Sequence, residues 1–432
     1  MARQFLRSIV IAIIRWEAKQ VLRKYRPKIV GITGSVGKTG TKEAVATVLR
    51  SRYQVRQSAK SFNGELGVPL TILNLPNAWL SLSGWLKNIV EGASLILFKS
   101  PYPEWLVLEV GVEQPGDIDW ITSWVKFDVA VVTRLPEVPV HVEYFSSPEE
   151  VAEEKMKLAQ AVPATGRVIL NGDDERIMAR SRGLSAPAVT YGFGPGLTIQ
   201  GEHPESLIEE GVPKGLSFKL ATGGHNLPVR VKGLAAPHQL YGVMAAIAVG
   251  QFVGLNLVEI AESLGHLETP PGRFRLIPGI KETLIVDDSY NSSPAALEAA
   301  LETFGKMSTT GRRLAVLGDM LELGPLTIEA HRRAGEQVAA AKIDFLITVG
   351  MRTKFLAEAA HKHKMLKKQM LHFDTWQGVG EKLQAMLQPG DIVLIKGSQS
   401  IRLEKVVEEV MAEPDRAAEL LVRQDPEWKK RG

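Results

Sequence analysis

The stretch GITGSVGKTGTKEAV, residues 31–45, decides how this chain is read. It continues an apolar run, KIVGIT (28–33), and passes into a helical pattern, so strand, glycine turn and helix follow one another. The usual phosphate loop, G-x-x-x-x-G-K-[ST], would place its first glycine at position 32, which is Ile32. The glycines here are Gly34 and Gly37, directly before Lys38 and Thr39. The tighter spacing still serves the chemistry. Two glycines let the backbone from Thr33 through Gly34, Ser35, Val36 and Gly37 turn its N–H groups around an anion. The helix N-terminus adds partial positive charge. Lys38 brings a mobile full charge, and the Thr39 hydroxyl is placed for Mg²⁺. The bland alternative, a glycine-rich turn with a solvated lysine, fits this strand–loop–helix context less well.

Working outward, WLVLEV (105–110), DVAVVT (128–133) and RVILN (167–171) read as further buried parallel strands, with helices near 38–50, 116–125 and 148–161. Residues 186–232 are richer in Gly and Pro and suggest a small antiparallel sub-sheet, followed by an alanine-rich helix over 237–253. The paired prolines of ETPPGRF (268–274) oppose helix and mark a linker. A second alternation follows. Its strands are TLIVDD, RRLAVLGD, DFLITVG and DIVLIKG; its helices lie near 294–305, 326–341, 375–387 and 400–411. The expected fold class is therefore α/β. A P-loop ATPase-type central domain (28–268) with a mostly parallel sheet precedes a Rossmann-like C-terminal domain (269–432).

Composition sets wider bounds. The 432 residues are 45% hydrophobic and 23% charged, as in ordinary globular domains, and contain no cysteine, which excludes disulfides and thiolate metal sites. A net charge of +4 gives no argument for nucleic acid. That charge is uneven. Residues 1–28 hold Arg3, Arg7, Arg15, Lys19, Arg23, Lys24, Arg26 and Lys28 against Glu17 alone, so +7 there leaves −3 elsewhere. Phe5, Leu6, Ile9, Val10, Ile13 and Trp16 recur at helical spacing in the same segment. Residues 1–27 thus read as a basic amphipathic helix, suited to an anionic membrane surface or to packing on the next domain. The apolar stretch WLSLSGWLKNIVEGASLILF (79–98) contains Lys87, Asn88 and Glu91, so a core or interfacial helix is expected rather than a span.

Glu109 closes the strand of LEVG (108–111), at the edge where open α/β sheets bind ligands, and a carboxylate beside a phosphate loop is a hard oxygen ligand for Mg²⁺. His141 and Lys155, taken alone, read as a structural histidine and a solvated lysine on a charged helix. Asp319, Lys396, Ser398 and Arg402 fall at strand ends or in the loops after them.

The compact T-G-x-x-G-K-[ST] loop, SFNGELGVPLTIL (61–73), LEVG, NGDDE (171–175), APHQLYGVMAAIAVG (236–250), PPGRFRLI, VDDSYNSSPAAL (286–297), VLGDMLELG (316–324), His331 and LIKGSQSIRLEKVVE (394–408) together resemble the Mur ligase superfamily, and its MurF branch most. The likeness spans residues 28 to about 411. It implies an ATP-dependent, ADP-forming amide-bond ligase that makes an acyl phosphate. It implies ATP contacts at the loop, His238, Arg273, Asp288 and Asn291; magnesium on Thr39 and Glu109; and a second magnesium on His141 and a carbamylated Lys155. Lys38, Glu109, His141 and Lys155 then carry catalysis, and Asn63, Asp319, Lys396, Ser398 and Arg402 face the substrates. The implied partners are a peptidoglycan-precursor peptide and D-alanyl-D-alanine, met by a cytoplasmic monomer. Three family asparagines are replaced, by Arg134, Gln239 and Gly242. Only 27 residues precede the first strand, so the family's N-terminal UDP-binding domain is expected to be missing, and a lipid-linked acceptor is a second expectation. A non-catalytic nucleotide-binding scaffold is a third.

Overall fold

The computed structural model describes residues 2–59, 62–79, 81–209 and 212–430. Two sheets organise them. Strands β1 (Lys28–Thr33), β2 (Val55–Gln57), β3 (Trp105–Glu109), β4 (Val129–Val132), β5 (Arg167–Asn171), β6 (Ala188–Gly192), β7 (Ile199–Glu209), β8 (Val212–Thr222) and β9 (His225–Lys232) lie in the order β2-β3-β1-β4-β5-β6-β7-β8-β9. Pairing is parallel from β2 to β7 and antiparallel across β7-β8-β9, so the expected sub-sheet is an extension of the main one. The second sheet has the order β10-β11-β15-β12-β13-β14, from β10 (Arg275–Gly279), β11 (Thr283–Asp288), β12 (Arg313–Gly318), β13 (Phe345–Val349), β14 (Met370–Phe373) and β15 (Ile392–Lys396). Only β10 runs antiparallel there.

Central strands are buried along nearly their whole length, because helices cover both faces. On one face α2 (Lys38–Arg50) packs with the alanine-rich helix Leu240–Phe252; Gly242 lies directly against Thr41, which a larger residue would push away. That replacement of a family asparagine is thus occupied by close helix packing. On the other face lie the helices Ala2–Tyr25 (α1), Gly67–Leu73 (α3), Leu82–Leu97 (α4) and Pro148–Gln160. The last starts where sequence demands: Ser147 caps Glu150 N–H at 3.2 Å, with Pro148 in the first turn.

The N-terminal helix is docked on the central domain. Ile11, Ile14, Ala18 and Val21 are buried, whereas Ile9 and Trp16 face outward. Phe5 and Leu6 have side chains outside the described residues. Gly92 of α4 gives room for the Glu17 carboxylate, whose Oε2 is buried without a partner. Burial raises the pKa of Glu17 to about 7. The fold therefore favours its protonated form, and the stability it contributes falls as pH rises from about 4.5 to about 7. Glu17→Gln is expected to gain stability relative to the wild type across that window. Urea midpoints of both proteins at a series of pH values measure it; a difference that does not change with pH contradicts it.

Candidate active site

β1 sits at the point where the strand order reverses, with β3 on one side and β4 on the other, and the glycine turn opens above it. Gly34 has φ +136° and Gly37 φ +89°, conformations that side chains resist; at Gly34 a Cβ would also strike Thr133. Gly37 caps α2 with no side-chain hydrogen bond, so the first helical turn keeps free N–H groups for an anion. The Ser35 N–H donates to the Arg134 carbonyl at 2.9 Å, and Val36 bridges to the same residue. Arg134 serves here through its backbone, which any side chain allows. The hydroxyls of Thr33 and Ser35 are buried with no partner among the described residues. Lys38 Nζ donates to the Gly34 carbonyl at 2.8 Å, spanning the loop, and burial pulls its pKa down while Glu109 opposes that shift.

The register of β1 with β3 sets Ile32 beside Glu109 and so brings the strand-end carboxylate to the loop. Thr39 Oγ1 donates to Glu109 Oε2 at 3.1 Å, and Asn63 Nδ2 to its Oε1 at 3.3 Å; Glu109 N–H donates to Ser58 Oγ at 3.1 Å. Thr39 and Glu109 are buried. A hydroxyl and a carboxylate at the head of an anion-binding loop fit Mg²⁺. No group of three or more His, Asp or Glu that could hold a metal occurs among the described residues, so an ion there would complete its shell with phosphate oxygens and water.

Arg273 reaches this site from the interdomain linker. Its Nη2 donates to Thr39 Oγ1 at 3.1 Å, and its guanidinium lies 4.1 Å from the Tyr290 ring centroid. The parts that aim it, Gln239 and Asp287, were not among the site residues expected from the sequence. Gln239 accepts from the N–H groups of Ala235 and Ala236, both at 2.9 Å, and donates to the Arg273 carbonyl at 3.0 Å. Asp287 accepts from Gly272 N–H and Ser289 N–H, each at 3.1 Å, and burial raises its pKa to about 6. The clue in the sequence was the D-D-S-Y-N string, which contains both Asp287 and Tyr290. His238 stands edge-on to Phe274, its Nδ1 buried without a partner among the described residues, and burial lowers its pKa to about 4, leaving it neutral.

Lys155 is buried near Lys38. Burial first, and the Lys38 charge second, hold its pKa well below the usual lysine range. His141 follows a different course. It adopts φ +66°, and its Nδ1 stands 2.8 Å from Glu322 Oε2 of the C-terminal domain; among the described residues no hydrogen bond or ion pair joins it to Thr39, Glu109 or Lys155. The C-terminal candidates form their own cluster at the carboxyl edges of the neighbouring strands β11, β15 and β12. Lys396 Nζ donates to Asp288 Oδ2 at 2.7 Å and to the Asn291 carbonyl at 3.0 Å. Ser398 Oγ accepts from Leu321 N–H at 3.0 Å, and Asp319 Oδ1 from Thr353 N–H at 2.9 Å. His331 accepts Met320 N–H on Nε2 at 3.1 Å, which assigns its Nδ1 proton to the Thr327 carbonyl 2.7 Å away. Arg402 is turned inward onto Glu404 at 2.6 Å, in a buried network with Arg423.

Comparison with known proteins gives the chain a family. Residues 86–250 match the Mur ligase middle domain and residues 272–399 the Mur ligase, glutamate ligase domain. Over 397 residues the chain is 30% identical to the UDP-N-acetylmuramoyl-tripeptide–D-alanyl-D-alanine ligase of Bacillus subtilis, an alignment covering 92% of this chain and 79% of that one. This chain belongs to the Mur ligase family. The enzyme of the same description from Escherichia coli is 28% identical over 397 residues, covering 90% of this chain and 78% of its own. The MurF ligase of Thermotoga maritima, solved in complex with ADP, shares the fold with a TM-score of 0.74 at 24% identity, over 95% of this chain and 84% of that one. A MurF structure from Acinetobacter baumannii does so at 0.75 and 22%, over 92% and 79%. As a Mur ligase the chain is an ATP-dependent, ADP-forming ligase that makes C–N bonds.

Proposed function

We propose that this Mur ligase joins D-alanyl-D-alanine to the peptide of a peptidoglycan precursor in the cytoplasm, as a monomer. The observation that carries the reading is the meeting of Lys38, Thr39, Glu109 and Arg273 at one phosphate loop, in a chain alignable over most of its length with an enzyme named for that reaction. A free carboxylate is a poor acyl donor in water, so it must first be activated. Its oxygen attacks the γ-phosphorus of ATP, ADP leaves, and an acyl phosphate results. The amine of the incoming dipeptide attacks the acyl carbon; the tetrahedral adduct expels phosphate and the nitrogen sheds a proton.

The chain's own part is positioning and neutralisation of charge. The loop N–H groups and the α2 N-terminus hold the phosphates. Lys38 exchanges the Gly34 carbonyl for a phosphate oxygen, and Arg273 arrives with the C-terminal domain as water is excluded. Magnesium, held by Thr39 and Glu109, would neutralise the nucleotide's phosphate charge. His238, Asp288 and Asn291 would contact the nucleotide, while Asn63, Asp319, Lys396, Ser398 and Arg402 would organise the substrates, several of them through the buried pairs described above. Lys155 would act as a carbamate: its low pKa leaves a neutral Nζ that adds to CO₂ and loses a proton, turning a cation into an oxygen ligand. His141 would join it after leaving Glu322. A lipid-linked acceptor is the second reading, favoured by the outward apolar residues of α1, with contact through residues 1–26 at the inner face of the membrane.

The test supplies ATP, Mg²⁺, UDP-MurNAc-tripeptide and D-alanyl-D-alanine, omitting each in turn, and follows ADP release and product mass. Release that needs both substrates, with a product heavier by the dipeptide, is expected, and Lys38→Ala should lower it about 100-fold. ATP binding without acceptor-dependent release contradicts the reading. Lys155→Ala should lose turnover and regain part of it with added formate or acetate; an inactive variant that no small carboxylate rescues speaks against the carbamate.

A further inference from the structure

The helices α1 and α4 lie side by side on the central domain. Glu17 fits against Gly92, and Lys24 Nζ and Tyr25 Oη reach the carbonyls of Leu95 and Phe98 at the end of α4. α4 turns its buried positions, Gly92 and Asn88, onto Glu17 of α1 and the Pro76 carbonyl, and α1 turns Ile11, Ile14, Ala18 and Val21 into the core of the central domain. With their C-terminal ends together the helices run parallel, and helical spacing then turns their exposed sides to one outward surface. That surface is apolar. Leu82, Leu86, Val90 and Leu97 follow helical spacing along α4, with Leu82 and Leu97 each 75% exposed; Ile9 and Trp16, the latter 56% exposed, lie on α1. Phe98 continues the row at 66%. A soluble monomer rarely leaves so many large apolar side chains in one patch.

Charge decides what covers it. Exposed Arg23, Arg26, Lys28 and Lys99 gather at the Leu97–Phe98 end, and Lys87 flanks the row; the acids beside it are Glu91, paired with Lys87 at 3.7 Å, and Glu104, while Glu17 is turned inward. Neither helix is long and apolar enough to cross a bilayer. An apolar row with a tryptophan and a rim of cations, too short to span, matches the interface of an anionic lipid layer, where aliphatic side chains enter the acyl boundary and cations meet phosphates. We propose that the paired α1/α4 face docks this enzyme on anionic membrane lipid, with Leu82, Leu86, Val90 and Leu97 of α4 as the inserted row and Trp16 beside them.

This deepens the membrane-side part of the proposed function and moves most of the contact from residues 1–26 to α4. It does not depend on the acceptor. The orientation has a consequence. α4 leads back into β3, so its Leu82 end lies toward the carboxyl edge of the sheet where Glu109 stands, and the bilayer would run beside the catalytic edge.

The test is flotation of the full chain with vesicles rich in phosphatidylglycerol and with vesicles of phosphatidylcholine alone. Leu86→Glu, Val90→Glu and Arg23→Glu/Lys99→Glu are compared, with thermal melting as the check on folding. Both side chains changed in α4 are exposed, so these variants should fold. The wild type should float with the anionic vesicles only, and each α4 variant should lose roughly tenfold of that binding at an unchanged melting temperature. The cation pair should weaken binding in a salt-dependent way. Absence of wild-type binding, or equal binding by the α4 variants, overturns the proposal. So does light scattering that shows a dimer which Leu86→Glu dissociates, because a second copy would then cover the face. None of these results depends on turnover, so failure of the acceptor assignment and failure of this surface are separable.

Discussion

The rest of the molecule is arranged around one hydrogen bond, from the guanidinium of Arg273 to the hydroxyl of Thr39, 3.1 Å long. Thr39 belongs to the first helix of the nucleotide loop, and Arg273 to the linker that leads into the second sheet. The bond therefore joins the two domains at the glycine turn after β1. The same hydroxyl also donates to Glu109. One small side chain thus touches both the strand-end carboxylate and the other domain, and a valine there would keep the shape and lose both hydrogen bonds.

Such a long reach requires support, and the structure supplies it in series. Gln239 holds the Arg273 carbonyl from the central domain. Asp287 holds Gly272, and Tyr290 lies against the guanidinium. Arg423 in turn donates to the carbonyls of Ser289 and Tyr290 and pairs with Glu404, which also binds Arg402. The C-terminal segment thereby stiffens the turn that presents the arginine. Trp428 makes an edge contact with Trp79 of the central domain, ring centroids 5.8 Å apart, and His141 meets Glu322 across the same divide. A buried polar network of this kind fixes one arrangement because leaving any member unpaired is costly.

Much of this was legible in the sequence, for physical reasons. Strands buried on both faces are continuous apolar runs, so β1, β3, β4, β5, β11, β12, β13 and β15 announced themselves, and the two glycines marked the turn between β1 and α2. The strands passed over, β2, β10 and β14, are short, lie at or near sheet edges, and lack that signature: VRQ is polar and RLIPG contains a proline. The alanine-rich helix begins later than expected, at Leu240, because Pro237–Gln239 form a tighter turn in which Gln239 is committed to the linker. Site residues at strand ends were readable as positions. Their partners were not: Lys396 with Asp288, Arg402 with Glu404 and His141 with Glu322 depend on elements far apart in the chain. The amphipathic spacing of the first helix was visible, but not that its buried side is Ile11, Ile14, Ala18 and Val21, nor that α4 would continue its outward face.

The bond from Arg273 to Thr39 would hold the two domains closed over the glycine loop. Because the chain has no cysteine, Lys126→Cys and Lys362→Cys place one spin label on each domain at exposed positions without competing sites. The distance distribution between the labels, measured by pulsed electron resonance with MgADP present, reports that closure. A single narrow distribution is predicted, broadening toward longer distances when Arg273→Ala is added. A distribution that Arg273→Ala leaves unchanged would contradict the account and assign closure to the contacts of His141 and Trp428 instead.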